Sequence, residues 1–208
     1  MKRILPIVFL ILIIITILFI FFKNNNKLQN MGNNMSKIKN LEDYILQINS
    51  YEAIAEITVT SNKTINKYKI KQTYSENGDY TQEVIEPENI SGTKIIYRNG
   101  TLTLENTKLN LNKIYENYQY ISSNELGLQY FIQDYKESKD ASFREEEKDV
   151  ILETTVKNDN RYIAKKVLCV DKKTKAPKSL EIQDNTQNIL VYILYNEIKI
   201  MDGQEEIL

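Results

Sequence analysis

YEAIAEITVTSNKTINKYKIKQTYSENGDYTQEVIE, residues 51–86, sets the fold class. Tyr51, Ala53, Ala55, Ile57 and Val59 alternate with Glu52, Ile54, Glu56, Thr58 and Thr60. A period of two puts successive side chains on opposite faces, the pattern of a half-buried strand. The next run, about 65–75, keeps Tyr68, Ile70 and Tyr74 on one face and Lys67, Lys69 and Lys71 on the other. Asn77-Gly78 then predicts a type I′ hairpin, because both central residues of that turn take positive φ. A third strand runs back over 79–86 until Pro87 stops it.

The same device recurs downstream. Ile95-Ile96-Tyr97-Arg98 and Thr101-Leu102-Thr103-Leu104 flank Asn99-Gly100, the clearest hairpin signal in the chain. Leu109 and Leu111 mark another short strand, and more are expected near 142–147, 150–157, 161–171, 178–184 and 188–200. The last is apolar on both faces, Ile189, Val191 and Ile193 against Leu190, Tyr192 and Leu194. That predicts a strand buried on both sides, at the centre of a sheet or beneath a helix. Cys169 falls in the apolar run 166–170 and is expected to be a small buried hydrophobe.

Two helices are expected, one before the first strand and one between the strand blocks. Ile38, Leu41, Ile45 and Ile48 recur every three or four residues, with Ser36 or Asn34 as cap. Within 122–137, Ser122-x-x-Glu125 has capping-box spacing, and Leu128, Phe131, Ile132 and Tyr135 share one face. Short connections favour pairing in sequence order. The expectation is a mainly β (α+β) domain of nine to eleven antiparallel strands. It forms one large curved sheet with helices across its concave face.

The N-terminus carries a different signal. Met1-Lys2-Arg3 precedes an apolar run from Ile4 to Phe22, closed by Lys23 and free of charge. About 20 apolar residues cross a bilayer as a helix, and a basic flank stays in the cytoplasm. Ile4, Leu10, Ile14 and Phe22 are therefore assigned to a membrane anchor. A cleaved signal peptide is the rival, but the run is long and no A-x-A site follows it. It also holds no Cys for lipoprotein-type acylation. Residues 1–23 read as an N-terminal transmembrane signal anchor. Residues 24–34 read as a polar, Asn-rich tether, and 35–208 as one extracytoplasmic β-domain. The expected location is the cell membrane, single-pass, with the C-terminal domain outside.

Composition narrows the chemistry. The 208 residues include no His, which removes the commonest general base and metal ligand and every Ser-His-Asp arrangement. The single Cys cannot form an internal disulfide. A net charge of -1, with both signs interspersed, argues against nucleic-acid binding. Acidic runs such as Glu145-Glu146-Glu147 read as solvated surface. No catalytic residue, metal site or cofactor is assigned, and the chain is read as a non-enzyme.

The order of these segments resembles a known family. YEAIAEITVT, TINKYKIKQTY with its Asn-Gly turn, YTQEVIEPENISGTKIIYRNGTLTL, the helical LGLQYFIQDYKES and the late DKKTKAPKSLEIQD carry the resemblance. Together they resemble the LolA-like lipoprotein-carrier superfamily, and within it the clostridial germination lipoproteins of the GerS type. The resemblance implies an unclosed β-barrel with helices at its mouth. Classical carriers of this fold shelter acyl chains in an apolar hollow, whereas GerS-type relatives partner a cell-wall amidase. This chain lacks the lipobox Cys and has a span in its place.

Two functions follow as expectations. The first is a membrane-anchored, non-enzymatic accessory protein of a spore-forming bacterium that binds and regulates a peptidoglycan-modifying enzyme. Its partner is a cell-wall amidase or another envelope protein. The alternative is a lipid or lipoprotein-acyl carrier whose hydrophobic cavity is lined by Tyr97, Leu102, Leu104, Phe131 and Ile132. A homodimer stays open in either case.

Overall fold

A computed structural model describes residues 41–118, 126–156 and 163–201. The chain divides into two compact units, Met1–Asp43 and Tyr44–Leu208, and every described strand belongs to the second. Six strands come first: β1 (Tyr51–Thr60), β2 (Ile65–Tyr74), β3 (Tyr80–Glu86), β4 (Lys94–Arg98), β5 (Thr101–Asn106) and β6 (Leu111–Tyr115). Five follow: β7 (Ser142–Glu145), β8 (Asp149–Thr155), β9 (Lys165–Asp171), β10 (Pro177–Gln183) and β11 (Ile189–Ile200). Residues 41–46 are helical (α1). The second helix, α2 (Leu128–Glu137), lies between the two strand blocks.

All eleven strands form one antiparallel sheet in the order β6-β5-β4-β3-β2-β1-β11-β10-β9-β8-β7. Each block is a meander, and the two are joined where the first strand of the domain pairs with the last. The β1–β11 ladder runs from Tyr51↔Ile200 to Val59↔Val191, with a bulge between Ile54 and Ala55. Bulges sharpen the local twist, so this one sits where a curved sheet needs it. The outer strands β6 and β7 do not pair with each other, and the sheet stays unclosed.

Register explains which face is buried. Tyr51, Ala53, Ala55 and Ile57 of β1 pair with Tyr74, Gln72, Ile70 and Tyr68 of β2. Across the other half, Ile193, Leu180, Leu168 and Leu152 lie in one line over β11, β10, β9 and β8. All four of those are fully buried. Helix α2 covers this face with Leu128, Phe131, Ile132 and Tyr135, the first two fully enclosed. The four fall on one stripe of a 3.6-residue helix, as the spacing requires.

Several expectations are corrected. The Asn99-Gly100 turn is not among them: it is type I′ as expected, with φ of 49° and 74°. At Asn77-Gly78 only Gly78 takes positive φ, 88°. There the Gly78 N–H bonds Ser75 O at 2.8 Å and the Ser75 N–H bonds Asp79 O at 3.0 Å. A three-residue loop with Gly in the left-handed position replaces the two-residue one. Helix α2 starts at Leu128, because Gly127 is extended (φ -85°, ψ 146°) and makes no side-chain cap. Ser122 and Glu125 lie outside the described residues. β11 sits at the sheet centre, as its sequence suggested, but it is not buried on both faces. Ile193 and Tyr195 are covered, while Leu194 on the outer face is 37% exposed. Cys169 is half-buried rather than buried, since Leu168 and Val170 take the inward positions on β9. Burial, then Asp149, push its thiol pKa up.

Candidate functional site

The inner face beneath α2 is held together by polar links as well as apolar ones. Tyr51, fully buried, accepts a hydrogen bond from the Leu128 N–H at 3.1 Å and donates to Gln129 Oε1 at 2.7 Å. The first turn of a helix leaves N–H groups without intrahelical partners, and here a phenol from the sheet satisfies one. Gln72 of β2, fully buried, donates from Nε2 to the Leu126 carbonyl at 3.1 Å. Tyr80 donates to Gln82 Oε1 at 3.0 Å and meets the Tyr130 ring edge-on, 5.9 Å between centroids. Burial, with Tyr80 and Tyr195 nearby, raises the Tyr51 pKa well above the ordinary phenol value. Burial likewise raises Tyr80 and Tyr195, so all three phenols stay protonated.

At the other end of the helix an ion pair crosses the same interface. Lys166 of β9 is 1% exposed and its Nζ lies 2.5 Å from Asp134 Oδ2 on α2. The Thr154 hydroxyl donates to the Asp134 carbonyl at 3.2 Å. Register makes this possible: Lys166 pairs with Thr154 and Ile182, placing it on the inner face with Leu168 and Val170. A buried charge is tolerated only when paired and hydrogen-bonded. Helix α2 is thus bolted to the first block by Tyr51 and to the second by Lys166.

Beside the helix lies a hollow of about 720 Å³. Gln47 and Asn49, just after α1, form one wall, and Tyr74 of β2 and Tyr97 of β4 form another. Helix α2 contributes Gln129, Tyr130, Ile132, Gln133 and Asp134. The lining mixes amides, phenols and charges in place of a continuous apolar surface. Among the described residues no group of His, Cys, Asp and Glu is arranged to hold a metal ion.

The expected cavity-lining residues divide into three kinds. Tyr97 and Ile132 line this hollow. Phe131 is fully buried between α2 and the sheet, 5.8 Å from the Tyr135 ring. Leu102 and Leu104 are half-buried on β5, on the same face as Tyr97 by register, on the arm of the sheet toward β6. Sequence reasoning missed Gln72, Gln129 and the Lys166–Asp134 pair. Their signal is a polar residue in phase with buried apolar neighbours, as Lys166 is with Leu168 and Val170. Ile4, Leu10, Ile14 and Phe22 lie outside the described residues. Among the described ones no helix is long and apolar enough to cross a membrane.

Comparison with known proteins places the chain. The family described as "Sporulation protein YdcC-like" matches residues 2–206. The chain belongs to the YdcC-like sporulation protein family. No curated protein matches it. Among solved structures, this YdcC-like chain is similar to a chain of the structure of the CwlD amidase from Clostridioides difficile in complex with the GerS lipoprotein. That match has 26% identity, 81% of this chain, 92% of that chain and a TM-score of 0.46. It is similar to an uncharacterized conserved protein from Thermus thermophilus, at 10% identity, 85% and 90% coverage and a TM-score of 0.50, which shows a shared fold. It is also similar to a LolA superfamily protein from Nitrosomonas europaea, at 11% identity, 81% and 93% coverage and a TM-score of 0.43.

Proposed function

We propose that this YdcC-like protein is a membrane-anchored, non-enzymatic accessory protein of the cell envelope. It binds and regulates a peptidoglycan-modifying enzyme in a spore-forming bacterium, with a cell-wall amidase as the first candidate. The observation that carries this reading is the occupied inner face. Where a carrier would open a greasy channel under its helix, Leu128, Phe131, Leu152 and Leu168 are packed without exposure. The Lys166–Asp134 ion pair crosses the same space. Threading an acyl chain there would separate a buried charge pair, at a cost of several kcal/mol.

Other features support it. The family is a sporulation family. The uncharged run from Ile4 to Phe22 suits an anchor that holds the domain outside the membrane. The chain has no His, and a tethered domain suits local regulation better than shuttling. One observation favours the acyl-binding alternative: Tyr97, Leu102 and Leu104 form a half-buried apolar strip on the inner side of the β4–β5 hairpin.

The test is affinity capture of the full-length chain from sporulating-cell membranes. Bound proteins are identified and assayed on purified peptidoglycan. The proposal expects a wall hydrolase whose rate on peptidoglycan changes when the chain is added. Recovery of lipid with no wall enzyme would overturn it.

A further inference from the structure

The chain contains two Asn-Gly pairs, Asn77-Gly78 and Asn99-Gly100, and each turns one strand back on the next. This dipeptide carries its own chemistry. The glycine nitrogen can attack the asparagine side-chain carbonyl carbon, and glycine, with no Cβ, hinders that approach least. A C–N bond forms, the side-chain amide C–N bond breaks, and ammonia leaves with the glycine proton. Water then opens the remaining five-membered succinimide at either carbonyl. The products are aspartate and isoaspartate, and in the second the main chain runs through the former side-chain carbon. Both asparagines are exposed, so access to water does not separate them.

Hydrogen bonding does. At Asn77 both reacting groups are engaged. The Gly78 N–H, the nucleophile, donates to Ser75 O at 2.8 Å. The Asn77 Oδ1 accepts the Ser75 hydroxyl at 2.8 Å and the Asp79 N–H at 3.1 Å, which fixes the side chain. Attack needs nitrogen and carbon aligned at about 3–3.5 Å, so these bonds must first be given up. At Asn99, among the described residues, no hydrogen bond holds the side chain or the Gly100 N–H. The Gly100 carbonyl accepts the Tyr118 N–H at 2.8 Å, which leaves its nitrogen free. The flanking strands differ in the same sense. Beside the Asn77 turn, β2 and β3 carry the buried Gln72, Tyr80 and Gln82. Beside the Asn99 turn, β4 holds no buried residue and β5 only Asn106, at its far end. Local opening is easier where few side chains are buried.

We infer that Asn99-Gly100 is a self-modification site of the folded chain, giving aspartate and isoaspartate at residue 99, while Asn77-Gly78 is held inert. The consequence is local. A new carboxylate arises next to Arg98, whose Nε bonds Asp79 Oδ2 at 2.7 Å. Isoaspartate also adds one main-chain carbon to a two-residue turn built on φ of 49° and 74°. Tyr97, two residues away, lines the hollow, so loosening this hairpin alters that wall. The inference stands apart from the enzyme partner and from any cargo.

The test incubates the folded full-length chain in detergent and mildly alkaline buffer, then digests it with pepsin in acid, where ring closure is slow. Mass spectrometry follows the exchange of amide for carboxyl at each asparagine, and isoaspartyl methyltransferase with a labelled methyl donor reports the isoaspartate. Asn99 is expected to convert at least about tenfold faster than Asn77. In urea, where both turns are gone, the two rates should draw together. Ser75→Ala removes a donor from Asn77 Oδ1 and should speed conversion at Asn77 about threefold, with Asn99 unchanged. The comparison within the native chain stands by itself if that variant fails to fold. Equal rates in the folded chain, reaction in urea alone, or a folded Ser75 variant with Asn77 no faster would overturn the proposal.

Discussion

At the scale of single residues, the most consequential placement is a lysine inside the domain. Lys166 and Asp134 join sheet to helix with 1% and 14% side-chain exposure. Lys166→Ala removes the partner of the largely buried Asp134 carboxylate and should lower stability by about 3 kcal/mol in urea unfolding. Replacing both partners by apolar groups, Lys166→Met with Asp134→Leu, should recover most of that loss, because the desolvation of both charges disappears together. Gly127 makes a second residue-level prediction. Its backbone is ordinary for any residue, so its role is space: a Cβ there would overlap Gln129 Oε1. Gly127→Ala should drive the Gln129 amide away from Tyr51, cost about 1–3 kcal/mol and change the Tyr51 environment in ultraviolet difference spectra. Neither role was legible beforehand. A lysine in a Lys-rich strand reads as surface until its register partner is known, and a helix-start glycine reads as a cap.

Elements were more legible than residues, for reasons that differ from one to the next. The Asn99-Gly100 hairpin was readable because only a few residues tolerate two successive positive φ values. β1 was readable because Glu52 and Glu56 alternate strictly with residues that are fully or nearly fully buried. The Asn77-Gly78 turn misled because the same dipeptide also serves a three-residue loop, and loop length depends on where Tyr74 and Tyr80 pair. Two-sided burial of β11 misled because apolar residues on an outer face look no different in sequence from buried ones. One turn yields a pH prediction. Between β10 and β11, Asp184 accepts the Thr186 and Asn188 N–H groups at 2.8 and 2.9 Å, with further bonds from both side chains. The Asn188 side chain and backbone, with Thr186, draw its pKa from 3.8 down to about 2. A carboxyl lowered in the folded state stabilises above its unfolded value and loses that contribution as pH falls through the folded one. The melting temperature of the native chain should therefore exceed that of Asp184→Ala at pH above 3.8. The gap should close as pH approaches about 2. A gap that persists in acid would assign the turn's stability to something other than this carboxylate.

At the scale of the molecule, the joining of two meanders through β1 and β11 makes the domain depend on its own two ends. The pairing from Tyr51↔Ile200 to Val59↔Val191 is the sole strand junction between the blocks among the described residues. A proline at Ile193, a fully buried β11 position paired with Ile57, removes a ladder hydrogen bond from a central strand. It should abolish cooperative unfolding in calorimetry rather than merely lower the midpoint. A sheet joined this way, with its helix bolted across the inner face, has the character of a rigid platform. That rigidity is what an accessory protein held beside its enzyme requires, and what a carrier that must open for cargo does not. Native mass spectrometry of the full-length protein, released intact from sporulating-cell membranes, tests that claim most directly. The account predicts a complex of the chain with a peptidoglycan-modifying enzyme and no stoichiometric lipid. A chain carrying one acyl lipid and no such enzyme would contradict it.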